Sequence, residues 1–220
     1  MWKLFLPFAF SIIVFCHVAS AQSRKIFDFS VGPSFYPWYL QGNDLDDSKM
    51  LGYRADLQFY YQSSRRIGFT SLLRGQFTTK DSGKRYPKEF KYNGTLNSVS
   101  LQAGAWSEFR LSEKLSLNVN VMLGLIIMSY PERKRGCSMC NPVLEPYFVD
   151  QAQKTDWGFA GTISTGLRYD LRQNLYLTVK ADVSWAYINF EYDRKENLVG
   201  SDFTIFYRTY NPGVGVGMKF

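Results

Sequence analysis

The sequence predicts an all-β fold: an eight-stranded antiparallel up-and-down transmembrane β-barrel with short periplasmic turns and long extracellular loops. Three observations support this prediction. Apolar and polar residues alternate with period two along much of the chain, which is the pattern of β-strands. The connections between the predicted strands alternate between long and short. Aromatic residues cluster near both ends of these strands, as they do at the two surfaces of a membrane.

The N-terminal segment, residues 1–21, is predicted to be a secretory signal peptide, which leaves residues 22–220 as one barrel domain. Lys3 precedes the apolar segment LFLPFAFSIIVF, and the small residues Ala19 and Ala21 stand at the −3 and −1 positions before Gln22. A positive, an apolar and a small-residue region in this order are typical of an export signal. The protein is therefore expected outside the cytoplasm, and nucleic acid is not an expected partner.

The alternation is clearest in LSLNVNVMLGLIIM, residues 115–128, where every second residue from Leu115 to Ile127 is apolar. Similar segments are IFDFSVGPSF (26–35), YRADLQFYYQ (53–62), VSLQAGAWSEF (99–109) and YLTVKADVSW (176–185). The longest run of apolar residues and glycine after the signal peptide, VMLGLIIM (121–128), is too short for a membrane helix. We therefore expect strands to cross the membrane.

An internal repeat marks the short turns. FRLSEKLSLNVNV (109–121) and YDLRQNLYLTVKA (169–181) align without gaps, and each is predicted to be a strand end, a polar turn and a strand start. Short turns are predicted near 63–66, 112–114 and 172–174, and long loops near 40–50, 79–95, 131–155 and 193–202. Seven alternating connections join eight strands, with both termini on the short-turn side.

Two aromatic girdles are predicted at the membrane surfaces. The girdle on the long-loop side consists of Tyr36, Trp38, Tyr53, Trp157, Trp185 and Tyr187. The girdle on the short-turn side consists of Phe27, Tyr61, Phe69, Phe109, Tyr169 and Phe220.

The last predicted strand ends in GVGVGMKF, with apolar or aromatic residues at alternate positions: Tyr210, Val214, Val216, Met218 and Phe220. Together with the signal peptide and the loop pattern, this segment resembles the small outer membrane β-barrel family of OmpX and the OmpA transmembrane domain, including its PorT-like relatives. The resemblance covers residues 22–220 as an architecture and implies an outer membrane location. It also implies that the barrel-insertion machinery reads these C-terminal residues. OmpA carries a peptidoglycan-binding domain after its barrel, whereas this chain stops there, so cell-wall anchoring is not implied.

Charged residues on the polar faces of the strands are predicted to line the lumen. An eight-stranded barrel is just wide enough for side chains to fill it, and buried charges must be paired. We expect a structural ion-pair network, with a proton or ion path as the alternative and a wide pore excluded by the strand number. The predicted members are Arg54, Asp56, Arg74, Glu108, Arg168, Asp170, Lys180 and Asp182.

Candidates for catalysis or metal binding are few. The only histidine, His17, lies in the predicted signal peptide, so residues 22–220 offer no imidazole for a catalytic triad or for zinc. Cys137 and Cys140 in RKRGCSMCNP are a candidate loop disulfide in an oxidising compartment, with a reduced pair as the alternative. A thioredoxin-like role would need a helical context that is missing here. No catalytic residue, metal site or cofactor is predicted.

Two long loops are rich in basic residues: Lys80, Lys84, Arg85, Lys88, Lys91, Arg133, Lys134 and Arg135. A basic rim beside anionic lipopolysaccharide would gain about 1 kcal/mol for each cation at the surface. Ordinary solubility explains the same composition equally well.

The leading functional hypothesis is a non-enzymatic outer membrane protein that serves envelope integrity, adhesion or partner binding through its loops. An accessory role in protein secretion or surface assembly, as in PorT-like relatives, is the alternative. A lipid-modifying barrel enzyme is a third, disfavoured hypothesis, because the known barrels of that kind rely on histidine.

Overall fold

The computed structural model describes residues 25–41, 44–46, 50–62, 67–80, 84–85, 88–93, 95–136, 147–151, 153–190 and 203–220. The predicted signal peptide, residues 1–21, lies outside these ranges, as do Cys137 and Cys140. No helix in the described part of the chain is long and apolar enough to cross a membrane.

The described residues form strands joined by turns. In chain order the strands are β1 (Lys25–Gln41), β2 (Asp44–Asp46), β3 (Met50–Gln62), β4 (Ile67–Lys80), β5 (Lys84–Arg85), β6 (Lys88–Asn93), β7 (Thr95–Arg110), β8 (Leu115–Tyr130), β9 (Glu132–Gly136), β10 (Tyr147–Gln151), β11 (Lys154–Asp170), β12 (Leu175–Phe190) and β13 (Phe203–Lys219).

Eight long strands close into a barrel, which confirms the predicted fold class. The sheet order is β1-β3-β4-β7-β8-β11-β12-β13, and β13 pairs antiparallel with β1. If one steps from each residue to the residue directly opposite it on the next strand, starting at Phe29 on β1, one circles the barrel and returns to β1 at Leu40. The end point differs from the start because the strands are tilted against the barrel axis. The path runs through Leu57, Leu73, Leu101, Leu125, Phe159, Tyr187 and Phe206.

The internal repeat forms two equivalent turns on the same side of the barrel. In the first, the amides of Leu111 and Ser112 both donate to the carbonyl of Leu115, at 2.9 and 3.0 Å. In the second, the amides of Leu171 and Arg172 donate to the carbonyl of Leu175 in the same way, at 2.9 and 3.1 Å. The repeat therefore marks the β7–β8 and β11–β12 turns.

The two faces of each barrel strand differ in the way the period-two pattern predicts. On β8, Leu123 is 62% exposed on the outer face, whereas its neighbour Met122 is 1% exposed on the inner face. Every barrel strand carries exposed apolar residues on its outer face, among them Val31, Phe59, Leu73, Leu101, Leu123, Ile163, Val179 and Val216. Polar and charged side chains are buried on the inner face.

Aromatic residues are exposed at both ends of the barrel's outer face, including Tyr53, Trp157, Tyr187, Phe69, Phe109, Tyr169 and Phe220. The assignment of Tyr36 to the outer girdle is wrong, because Tyr36 is buried and its hydroxyl accepts a hydrogen bond from Thr78 at 2.9 Å. It lies at an even-numbered position of β1, and those positions face the lumen. The side chain of Trp38 is outside the described part.

On the long-loop side the chain continues above the barrel. The strands β10, β9, β6 and β5 form a second antiparallel sheet in this order. The pairing of β6 with β9 joins the loop between β4 and β7 to the loop between β8 and β11, with Lys91 opposite Lys134.

Candidate functional site in the barrel lumen

The centre of the lumen holds four charged residues that form a closed cluster. Arg74 donates to Asp56 (Nε to Oδ1, 2.8 Å) and to Asp182 (Nη2 to Oδ2, 2.8 Å). Arg54 pairs with Asp182 (Nη1 to Oδ2, 2.5 Å) and also with Asp56. All four side chains are buried. Each aspartate is shared by two guanidinium groups, and the two positive charges cancel the two negative ones.

Local geometry explains how the cluster forms. Arg54 and Asp56 are two residues apart on β3 and therefore share its inner face. Arg74 is the direct partner of Asp56 in the β3–β4 register, and Asp182 reaches the cluster from β12. Asn211 on β13 donates to Asp182 (Nδ2 to Oδ1, 2.6 Å). Removal of one partner from such a buried group costs about 3–5 kcal/mol.

A second charged group lies next to the cluster. Lys180 pairs with Asp28 (Nζ to Oδ1, 2.6 Å) and donates to Gln58 (Nζ to Oε1, 3.1 Å). Tyr176 donates to Asp28 (Oη to Oδ2, 3.2 Å). Asp28 is not among the predicted network residues, although its position in the alternating pattern of β1 places it on the polar face.

At the short-turn end, Arg168 fills the lumen. Its guanidinium donates to Glu108 (Nη1 to Oε1, 2.8 Å). The same group lies 4.4 Å from the ring centre of Tyr176, 5.3 Å from that of Tyr60 and 6.0 Å from that of Trp106, which places a cation among three aromatic rings.

The last residue of the predicted set, Asp170, lies at the rim of the barrel, where it pairs with Lys219. Asp170 is partly exposed there. The eight predicted residues thus all point to the lumen but fall into four separate groups, and Asp28 and Lys219 supply the two partners that the sequence did not predict. Each of the four groups is electrically neutral.

Apolar residues lie in the lumen on both sides of the central charged groups. On the long-loop side, buried aliphatic and aromatic side chains fill the lumen: Tyr36, Leu96, Ile126, Met128, Tyr130, Ala160, Ala186, Ile188, Phe190, Ile205 and Tyr207. On the short-turn side the corresponding cluster is Ile26, Tyr60, Trp106 and Tyr176. The lumen is therefore packed with side chains along its axis.

The seam between β1 and β13 has an unusual ladder. Lys25 and Phe220 exchange both backbone hydrogen bonds, at 3.3 and 2.8 Å. Hydrogen-bonded pairs recur at every second residue of an antiparallel ladder. The register continues through Val31 opposite Val214, so Pro33 and Pro212 occupy the next hydrogen-bonded position. Because proline has no N–H, neither bond of this pair can form.

Side chains from the lumen brace this seam from behind. Arg54 on β3 donates to the carbonyl of Asn211 on β13 (Nη2 to O, 2.8 Å) and so reaches across β1. Lys180 on β12 reaches across β13 to Asp28 on β1. Gly213 leaves the space that Arg54 needs, since a Cβ atom there would lie 2.8 Å from Nη2 of Arg54.

The last strand, β13, has glycines on its inner face and large residues on its outer face. A Cβ atom at Gly217 would lie 2.2 Å from the hydroxyl of Tyr176, so the side chain of Tyr176 occupies that space. The residues of the predicted insertion signal all point outward and are exposed: Tyr210, Val214, Val216, Met218 and Phe220.

Sites of other kinds are sparse. No group of three His, Cys, Asp or Glu among the described residues is placed to hold a metal ion. A cavity of about 370 Å³ opens at the short-turn mouth, where charges of both signs line it, among them Glu108, Arg110, Lys114, Asp170 and Lys219.

A closed antiparallel barrel with an apolar outer surface, exposed aromatic residues at both ends and charged residues inside has the organisation of a transmembrane β-barrel. In a water-soluble barrel the apolar residues would face inward. The protein is an integral β-barrel of the bacterial outer membrane, which confirms the predicted location.

No protein-family model matches the sequence, and a comparison with curated proteins gives no match. Among solved structures, the chain is similar to the Neisserial surface protein NspA, with 12% identity and a TM-score of 0.49 over 91% of this chain and 100% of that one. It is also similar to Ail, the attachment invasion locus protein of Yersinia pestis (14%, 0.42, 89% and 98%), and to the outer membrane protease OmpT of Escherichia coli (8%, 0.45, 92% and 98%). These similarities concern the fold, which a surface protein and a protease share.

Proposed function

We propose that the protein is a non-enzymatic outer membrane barrel that acts at the cell surface through its long loops, in envelope integrity or in binding a partner. The packed lumen is the observation that carries this proposal. The central ion-paired groups are neutral and have apolar clusters on both sides, which leaves no role for the barrel axis as a route for solutes. Function is therefore assigned to the ends of the barrel.

The chemistry of the lumen supports a non-enzymatic role. General acid–base catalysis needs a group that is free to exchange a proton with a substrate. Asp56 and Asp182 are each held by two guanidinium groups, and the only histidine of the chain, His17, lies in the predicted signal peptide.

The second sheet, formed by β10, β9, β6 and β5 and called the upper sheet below, supports a role for the long loops. The pairing of β6 with β9 places Lys91 opposite Lys134 and Tyr92 opposite Arg133. This register brings basic positions of two loops to the same part of the ladder. An anionic partner, such as the phosphate groups of lipopolysaccharide, fits this charge.

The test is a loop deletion in cells. Residues 81–93 and 132–150 are each replaced by a short turn, and the altered mobility of unboiled samples on gels serves as the check that the barrel still folds. We expect loss of adhesion or increased sensitivity of the cells to detergents. Normal adhesion and envelope integrity together with a secretion defect would contradict the proposal and favour the accessory role in surface assembly.

A charge-reversal variant tests the anionic partner separately. Lys91→Glu combined with Lys134→Glu should weaken binding of the purified barrel to lipopolysaccharide. Lys114→Glu combined with Arg172→Glu, at the opposite end of the barrel, serves as the control and should leave binding unchanged. Equal binding by the wild type and both double variants would rule out the upper sheet as the site that binds the anionic partner.

A further inference from the structure

A groove of about 660 Å³ lies on the outer side of the β1–β13 seam. Its floor is the part of the ladder where Pro33 faces Pro212, with a glycine beside each proline. Its walls are exposed outward-facing side chains from four neighbouring strands: Val31, Tyr53, Val179 and Val214. The groove thus coincides with the gap in the ladder.

The groove offers little to a charged ligand. Arg54 and Lys180 lie behind its floor, but both are bound to lumen partners. The two prolines contribute ring carbons and no N–H donor. An occupant that fits this lining is apolar.

The position of the groove identifies the occupant. Phe29 and Phe35 lie on the same outer face of β1, on either side of the groove along the strand, and both are exposed. The groove is therefore continuous with the apolar surface that faces the membrane. We propose that it is a binding site for one hydrocarbon chain of an outer membrane lipid.

The physical reason for binding is the concave shape. A chain on the convex surface of a barrel contacts protein on one side only, whereas a chain in this groove contacts β1, β12 and β13 together. Dispersion contacts are individually small, but they add over the length of a chain. The chain also covers backbone that lacks its ladder hydrogen bonds, so lipid held here would protect the seam.

A photocrosslinking map tests this site on the unmodified protein. The barrel is reconstituted in vesicles of phosphatidylethanolamine that carry a photoreactive group at mid-chain, and labelled residues are identified by mass spectrometry. We expect about tenfold more label at the groove residues than at the outward-facing Val121 on β8, a ratio equivalent to about 1.4 kcal/mol. An even distribution of label around the barrel would overturn the proposal.

A matched pair of variants gives a second test. Val214→Trp fills the groove, and Val121→Trp adds the same side chain to the outer face of β8. Native mass spectrometry in detergent with added phosphatidylethanolamine should show one retained lipid on the wild type and on Val121→Trp, and none on Val214→Trp. Equal lipid retention by the two variants would contradict the groove as the binding site, whatever the outcome of the loop experiments.

Discussion

The β8–β11 interface and the β1–β13 seam are both antiparallel ladders of the same barrel, yet they are held together differently. The β8–β11 register is unbroken from Tyr130 opposite Lys154 to Leu115 opposite Tyr169. The β1–β13 ladder contains the proline pair and a register shift between Phe35 and Trp38. At the seam, where the proline pair lacks its backbone hydrogen bonds, charged side chains from β3 and β12 reach across to the opposite strand.

The residues behind the two interfaces differ accordingly. Behind the middle of β8 and β11, neutral groups meet, as in the hydrogen bond from Asn120 to Ser164 at 2.8 Å. A charged pair lies at the short-turn end of this interface, where Arg168 on β11 reaches across β8 to Glu108 on β7. Behind the seam lie the charged groups of Arg54 and Lys180. At the level of the proline pair, the lumen charges therefore hold the two strands of the seam together in addition to filling the interior.

The largest expected effect comes from opening the central cluster. Asp182→Ala leaves two buried guanidinium groups with one aspartate between them and should lower the free energy of unfolding by about 3–5 kcal/mol. Asp170→Ala removes a partly exposed partner at the rim and should cost about 1 kcal/mol or less. Urea titration in lipid vesicles measures both. Equal losses would show that the central cluster has no special role.

Two glycines, one on the inner side of the seam and one on the outer face of β4, test how tightly the seam is packed against the lumen side chains. At Gly213, a Cβ atom would lie 2.8 Å from Arg54 and 2.9 Å from the carbonyl of Val31. Gly213→Ala should therefore destabilise the barrel by about 1–3 kcal/mol. At Gly75 the nearest atom would be 3.7 Å away, so Gly75→Ala is the matched control and should have little effect on urea unfolding.

Removing the hydroxyl of Tyr176 is a test, with a smaller expected effect, of whether lumen side chains stabilise the β1–β13 seam. This hydroxyl donates to Asp28, and its removal in Tyr176→Phe should cost about 1 kcal/mol. Tyr187→Phe removes a hydroxyl from an exposed outer position and should leave stability unchanged. If the two variants unfold at the same urea concentration, the contact with Asp28 does not stabilise the seam.

The smallest expected effect is a gain. Pro33→Val restores an N–H opposite the carbonyl of Pro212 and should raise the free energy of unfolding by about 0.5–1 kcal/mol. Ala55→Val adds apolar surface at the outer-face position opposite Val31 on the other side of β1, without a new donor, and is the control. A gain in the control that matches the gain in Pro33→Val would assign it to apolar surface instead.

Sequence patterns predict the strands, the turns and the face on which each residue lies, because those depend on local alternation. They do not predict which residues from distant strands meet. Alternation places Asp28 and Lys219 on inner faces, but their pairing with Lys180 and Asp170 depends on the tilt of the strands, which decides which inner-face charges share a level. The meeting of Pro33 with Pro212 depends on the same tilt. The error at Tyr36 has a different origin: a place near the strand end is typical of a girdle residue, but the even-numbered position on β1 turns the side chain into the lumen.

The most direct test of the central claim is amide hydrogen exchange at the seam in two arginine variants. Arg54→Met and Arg74→Met both open the central cluster, but of these two side chains Arg54 is the one that binds the carbonyl of Asn211. The account predicts that the amides of Val31 and Val214 exchange faster in Arg54→Met than in Arg74→Met, while those of the β8–β11 ladder exchange equally in both. Equal exchange at the seam in the two variants would contradict the claim that Arg54 holds β1 and β13 together through the carbonyl of Asn211.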